Sequence, residues 1–258
     1  MTRIHPTAVV ERGAKLADDV EIGPCAYVGP DVELAAGVVL RPHACVTGRT
    51  TIGEGSRVFP FAVLGEEPQD KSFSGESTTL VVGRDTTIRE HAVIHVGTRK
   101  GGGCTRIGDD VLVMNGVHIG HDSQIGSHVI IASLCAIAGH VRIEDYAAVG
   151  GLTGIHQFAR IGESAMVAAT SAVSQDVPPF ALASGDRAQL SGLNVVGMRR
   201  RGFPPETRRN IKRAYHLIFH SKLRFPTAVE RVRAEIQGCA EVDRLLAFLE
   251  GSQRGFIR

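Results

Sequence analysis

Starting from Ile4, every sixth residue is aliphatic: Val10, Leu16, Ile22, Val28, Leu34, Leu40, Val46, Ile52, Val58 and Leu64. The period returns at Val82, Ile88 and Ile94, and a third series runs from Ile107 in steps of six to Val173 with no polar residue at the aliphatic position. A sustained short repeat is what stacked, nearly identical turns of chain produce. Small or β-branched residues such as Ala26, Val32, Ala44, Val111, Val129, Cys135 and Ala147 stand two places before the aliphatic stops. Positions two apart on a strand face the same side, so both point inward. Glycine often follows the aliphatic residue, as at Gly23, Gly29, Gly108 and Gly126, where it is expected to permit a sharp turn. Short strand, turn, short strand with one inward stripe describes a mainly β protein, a parallel β-helix. Three hexads per coil give an 18-residue period, about 8.7 coils and a prism roughly 40 Å long at a strand spacing of about 4.8 Å.

Two interruptions break the pattern. Leu64 and Val82 are 18 residues apart, so the phase survives while the chain near 65–79 leaves it; Ile94 and Ile107 are 13 apart, which ejects a loop near 95–106. Insertions into a solenoid commonly form its binding face. After Val173 the repeat stops at Pro178-Pro179, and the pattern turns helical. Pro204-Pro205 opens a run with Ile211, Ala214, Tyr215, Ile218 and Phe219 at helical spacing. Thr227 with Glu230 has the form of a capping box, and Leu245, Leu246, Phe248 and Leu249 mark a last helix. The expected organisation is a β-helix over 1–186 and a small α-helical domain over 187–258.

Charge supports that division. The chain is nearly balanced overall, at +2, but residues 187–258 carry 15 basic against 6 acidic side chains, so the remainder is acidic. A basic tail suits an acidic protein partner; no recognition motif points to nucleic acid. Apolar residues make up 43%, which excludes a disordered chain. No apolar run reaches the roughly 18 residues needed to cross a bilayer, and MTRIHPTAVVERG contains no signal-peptide core. Five scattered cysteines without a CxxC point to a reducing cytoplasm rather than to disulfides or zinc.

Candidate chemistry follows the second loop. His118 and His121 occur in NGVHIGHD. One coil on from His121 is Gly139, and one coil further Gln157; one coil on from Asp122 is His140, and His156 neighbours Gln157. These residues are expected to stack about 5 Å apart on one corner of the prism. A histidine can take a proton from an attacking hydroxyl, a carboxylate can hold the resulting imidazolium, and a glycine N–H can donate to an oxyanion. Such a set supports acyl transfer without a covalent nucleophile.

The runs NGVHIGHD, IAGHV, GIHQF (154–158), SQDVPPF (174–180), MRRRGF (198–203) and GEEPQD (65–70), in this order along essentially the whole chain, resemble the UDP-N-acetylglucosamine O-acyltransferases of lipid A biosynthesis. That family belongs to the hexapeptide-repeat acyltransferases, and the resemblance implies a left-handed coil, a hand that spacing alone does not set. It implies a cytoplasmic homotrimer with sites between neighbouring prisms. The implied reaction moves an (R)-3-hydroxyacyl group from acyl carrier protein to the 3-hydroxyl of UDP-N-acetylglucosamine. The phosphopantetheine thioester is a substrate, and neither cofactor nor metal is expected. Carried over, His121 is the general base, the Gly139 amide the oxyanion donor, and Asp122 the residue that orients His121. Asp70, Lys71, His118, His140, His156 and Gln157 are expected to meet the sugar nucleotide or acyl chain. Asn194, Arg200 and Arg201 are expected at the nucleotide or the pantetheine arm.

Two departures from the family pattern matter. The family's insert carries Pro-Gln-Asp, an aliphatic residue, Lys, then an aromatic; here Pro68-Gln69-Asp70-Lys71-Ser72-Phe73 brings the lysine one residue early. Either Lys71 reaches the substrate by its flexible stem, or that role is lost. Ala169 aligns with the family's acyl-length ruler, where some relatives have Gly; its methyl either shortens the preferred chain by about one or two carbons or simply packs between coils. Three other readings compete: an N-acyltransferase or a 3-amino sugar acceptor, a β-helical carbonic anhydrase with zinc on three histidines from neighbouring subunits (candidates His118, His121, His140 and His156), and a non-catalytic scaffold. The flanking motifs favour the O-acyltransferase.

Overall fold

The computed structural model describes all 258 residues, Met1–Arg258. Most strands of the repeat are two residues long, as in Glu21–Ile22, Tyr27–Val28 and Glu33–Leu34, and consecutive strands belong to three different sheets of eleven, nine and eight strands. Partners within a sheet are one coil apart and parallel, for example Ile22 with Leu40 and Val28 with Val46. Beyond the first coil, the aliphatic residue of each hexad and the small residue two before it are buried together, so one continuous apolar core fills the prism.

The corners correct one expectation. The glycines that follow the aliphatic position are not the turn formers: Gly23 and Gly108 have ordinary backbone angles, and an added Cβ would stand 3.0 Å from Leu40 O and 2.6 Å from the Gly126 carbonyl carbon of the next coil. They allow close stacking of coils. The turn itself is made two residues later by a left-handed residue, usually not glycine: Asp19, His43, Phe61, Asp85, Asp122, His140, Leu152 and Phe158 all have φ between 53° and 67°. Asp and His tolerate this conformation, whereas Phe and Leu are strained in it. Aromatic stacking between coils offsets part of that strain, with ring centroids 4.9 Å apart for His43–Phe61, 5.2 Å for Phe61–His91 and 4.5 Å for His140–Phe158.

Both ejected loops are shorter than expected. The strands Val63–Glu66 and Thr79–Val82 leave 67–78 outside the sheets, and Val93–His95 and Cys104–Ile107 leave 96–103. Leu80 and Thr105 are fully buried and continue the inward alternation, which holds these extra residues in the ladder Thr79–Cys104 to Val82–Ile107.

The boundary near 187 also shifts. Gln189–Leu193 is a strand, antiparallel to Ala181–Ser184. Helices α1 (Val195–Arg200), α2 (Pro205–Tyr215), α3 (Phe225–Glu235) and α4 (Ala240–Glu250) follow, with a π-helical turn at His216–His220. Pro205 opens α2 as expected. The capping box at Thr227 is not formed: α3 starts at Phe225, with Pro226 in its first turn and no side-chain cap, so Thr227 is already inside the helix.

Candidate active site

Asp122 is the anchor of the corner that carries the candidate chemistry of NGVHIGHD. It occupies the left-handed turn position after Ile119, with φ 60°, and is only 3% exposed. Its N–H donates to Thr105 Oγ1 at 2.8 Å. Its carboxylate accepts the Thr98 N–H at 2.9 Å on Oδ1 and the Thr98 hydroxyl at 2.7 Å on Oδ2. His121 Nδ1 stands 2.8 Å from the same Oδ2. An ionised carboxylate only accepts, so Nδ1 carries the proton and His121 Nε2 presents a bare lone pair. Buried charge with three donors is satisfied, and the imidazole it holds has its direction fixed.

Gly139 lies against that ring. A Cβ built on it would stand 2.7 Å from both Cε1 and Nε2 of His121, so only glycine lets the two approach. The Gly139 N–H makes no hydrogen bond within the chain. His140 stands edge-on to His121 at 5.0 Å, with Nδ1 3.9 Å from Asp122 Oδ2. Burial pushes the His140 pKa below the ordinary histidine value. Phe158, an exposed residue on which His140 stacks, extends the corner by one coil beside His156 and Gln157.

His118 sits on the second sheet beside this corner, in register with Ala136, Gly154 and Ala172 of the next three coils. These small outward residues floor a groove of about 700 Å3, walled in part by His156, Arg187 and Arg254. Burial, then the neighbouring His95 and His121, lower the His118 pKa. The floor of the groove is apolar, as ligand-binding clefts commonly are.

The structure thus gathers His121, Asp122, Gly139, His140, His118, His156 and Gln157, and brings Asp70 close enough for the charges of Asp70, His121 and His140 to influence one another. It does not bring the remaining expected residues there. Lys71 is exposed and forms no ion pair; Ala169 is exposed on another edge and does not line the groove. Asn194 caps α1 and donates to Ser164 O at 2.9 Å, on the edge that carries Tyr146 and Ser164. Arg201 bonds Glu163 and Ser164 and lies 3.7 Å over the Tyr146 ring, while Arg200 is exposed. Two residues that sequence reasoning missed are Thr98, hidden by its place in a loop, and His95, whose Nδ1 meets Glu67 O at 2.7 Å and whose buried Nε2 has no partner. Ligand atoms of His121, Asp122 and His140 lie within 4.8 Å of one another, but His118 and His156 do not join them.

Residues 176–257 match the family described as Udp N-acetylglucosamine O-acyltransferase, Domain 2, and residues 104–139 match the bacterial transferase hexapeptide repeats. Proteins named acyl-[acyl-carrier-protein]--UDP-N-acetylglucosamine O-acyltransferase match end to end. That of Syntrophobacter fumaroxidans is 46% identical over 99% of this chain and 100% of its own length; that of an Anaeromyxobacter species is 49% identical over 99% of both. This chain belongs to the UDP-N-acetylglucosamine O-acyltransferase family. The prism is accordingly the left-handed parallel β-helix of hexapeptide-repeat acyltransferases, with a small helical C-terminal part. The solved UDP-N-acetylglucosamine acyltransferase of Campylobacter jejuni superposes with a TM-score of 0.94 at 42% identity, covering 99% of both chains. That of Francisella novicida gives 0.96 at 34%, over 99% of this chain and 94% of its own. No helix of the chain is long and apolar enough to cross a membrane.

Proposed function

We propose that the chain transfers an (R)-3-hydroxyacyl group from acyl carrier protein to the glucosamine 3-hydroxyl of UDP-N-acetylglucosamine, the first step of lipid A biosynthesis, in the cytoplasm. The observation that carries this reading is the His121–Asp122 pair, its bare Nε2 against Gly139, whose chain neighbour Ala138 lines an apolar groove. Asp122 holds His121 so that Nε2 takes the proton of the 3-hydroxyl as its oxygen attacks the thioester carbonyl. The Gly139 N–H donates to the oxyanion that develops. Collapse of the tetrahedral intermediate breaks the C–S bond, and the imidazolium returns its proton to the pantetheine thiolate. His118, His156 and Gln157 line the acyl and sugar positions. The 15 basic side chains after residue 186 suit an acidic carrier.

The reading includes a homotrimer. Asn194 and Arg201 lie on a different edge of the prism from His121, so a nucleotide contact from them requires a neighbouring copy. Acyl transfer from a panel of hydroxyacyl carrier proteins, with His121→Ala alongside, tests the whole. The expected result is turnover that falls about 10²–10⁴-fold in the variant without a change in melting temperature. Turnover retained in His121→Ala removes the base; transfer only to a 3-amino sugar nucleotide changes the acceptor.

A further inference from the structure

The two ejected loops meet at the His121 corner, and each brings charge to it. From the first comes Asp70, whose Oδ1 accepts the Ser72 N–H at 2.8 Å. That hydrogen bond first, and then the charges of His121 and Lys100, hold the Asp70 carboxyl below the usual carboxylate range. The lysine next to Asp70 in sequence, Lys71, is exposed and forms no ion pair; the lysine whose charge contributes at Asp70 comes from thirty residues further on.

Lys100 lies in the 3-10 turn Arg99–Gly101 of the second loop, and that turn is fixed against the catalytic pair. Thr98 gives both its N–H and its hydroxyl to Asp122, and the Gly101 N–H returns to Thr98 Oγ1 at 3.2 Å. Gly101 packs so closely that a Cβ there would stand 2.1 Å from Asp122 Cγ. Residue 100 therefore starts one peptide unit, about 3.8 Å between Cα atoms, from a residue in contact with Asp122. Its side chain is exposed and makes no ion pair. Arg99 differs: its charge is a lesser contributor, after the Ser74 and Glu76 N–H groups, to holding the Glu76 carboxyl of the first loop below its usual range. Lys100 remains a free ammonium on a flexible four-carbon stem rooted in rigid backbone beside the base.

The acceptor of the proposed reaction supplies an anion at the matching place. The attacking 3-hydroxyl and the phosphate on C1 are carried by one sugar ring, so with the hydroxyl at His121 Nε2 the phosphate lies one ring's width away. We infer that Lys100, rather than Lys71, is the substrate-binding cation that receives the sugar-linked phosphate, and that the second loop is a phosphate-binding element of this site. The inference rests on the acyltransferase reading and adds to it the residue that replaces the displaced lysine.

Calorimetric binding of UDP-N-acetylglucosamine, without acyl donor, to the intact protein and to Lys100→Ala, Lys100→Arg and Lys71→Ala tests it, followed by steady-state kinetics on the same proteins. Expected is a rise of about tenfold in Kd and KM for Lys100→Ala, the loss of one charge-assisted contact, with kcat within about threefold and a flatter dependence on salt. Lys100→Arg recovers most of the affinity. Unchanged binding by Lys100→Ala, or a loss that falls on Lys71→Ala instead, overturns the inference. Because the binding arm uses no acyl donor, absent turnover in the unmutated enzyme counts against the reaction, and unchanged binding in Lys100→Ala counts against the phosphate contact alone.

Discussion

Glycine, carboxylate and imidazole do their work at this corner through what each lacks. Gly139 lacks the Cβ that would strike the His121 ring, and Asp122 lacks any donor that could compete for the proton on His121 Nδ1. His118 and His140 lack full hydration: partial burial leads the causes that lower both pKa values. In the unfolded chain both return to the ordinary imidazole range of about 6.5. The unfolded state then binds more protons, so stability is fully present above that range and is lost as pH falls through it toward the folded values. Urea midpoints measured from about pH 7.5 to about pH 5 are expected to fall, and to fall less steeply in His118→Gln. Equal slopes in the two proteins would remove His118 from this linkage.

At the scale of elements, the repeat was legible because its period is enforced by burial: a polar residue at Ile119 or Ile137, both fully buried, would face the core of the prism. The stacking of His121, Gly139 and Gln157 followed from the same 18-residue step. The loops were not legible beyond their existence, since Thr98 carries no periodic signal and meets Asp122 only because the turn folds back over 24 residues of sequence. The capping box failed for a related reason, a local motif overruled by Pro226 and by packing of α3. Gly101→Ala tests how tightly loop and coil are joined. Its methyl must displace the turn or the Asp122 carboxylate, so we expect a destabilisation of about 1–3 kcal/mol by chemical denaturation and at least a tenfold drop in kcat. Wild-type stability and rate together would show that the turn is free to move.

The whole molecule presents two unlike ends and one apolar edge. Toward the C-terminus the helices are clamped to the last coils: Arg160 bonds Asp176 and the Phe248 carbonyl, and Asp176 accepts from Ser252. Toward the N-terminus Ile4 and Val9 remain about half exposed, at 47% and 51%. Along one edge Phe61, Leu134 and Leu152 are 49–60% exposed, more apolar surface in a line than a lone prism is expected to leave in water. The proposed trimer gives that edge a cover. Leu134→Glu with Leu152→Glu is expected to yield smaller species in sedimentation and to lose activity together with assembly. A monomeric unmutated protein would dispose of the trimer.

Sequence alone determined the coil, its inward stripe and the corner on which the histidines stack, though not the hand of the coil, because a sustained six-residue aliphatic period is what burial in stacked coils enforces. Tertiary structure decided what leaves the period: which loop residue grips Asp122, and that Asn194 and Arg201 bond to a different edge. These contacts join residues whose separation obeys no repeat. They are set by where two insertions come to rest on a rigid prism, which no local pattern encodes.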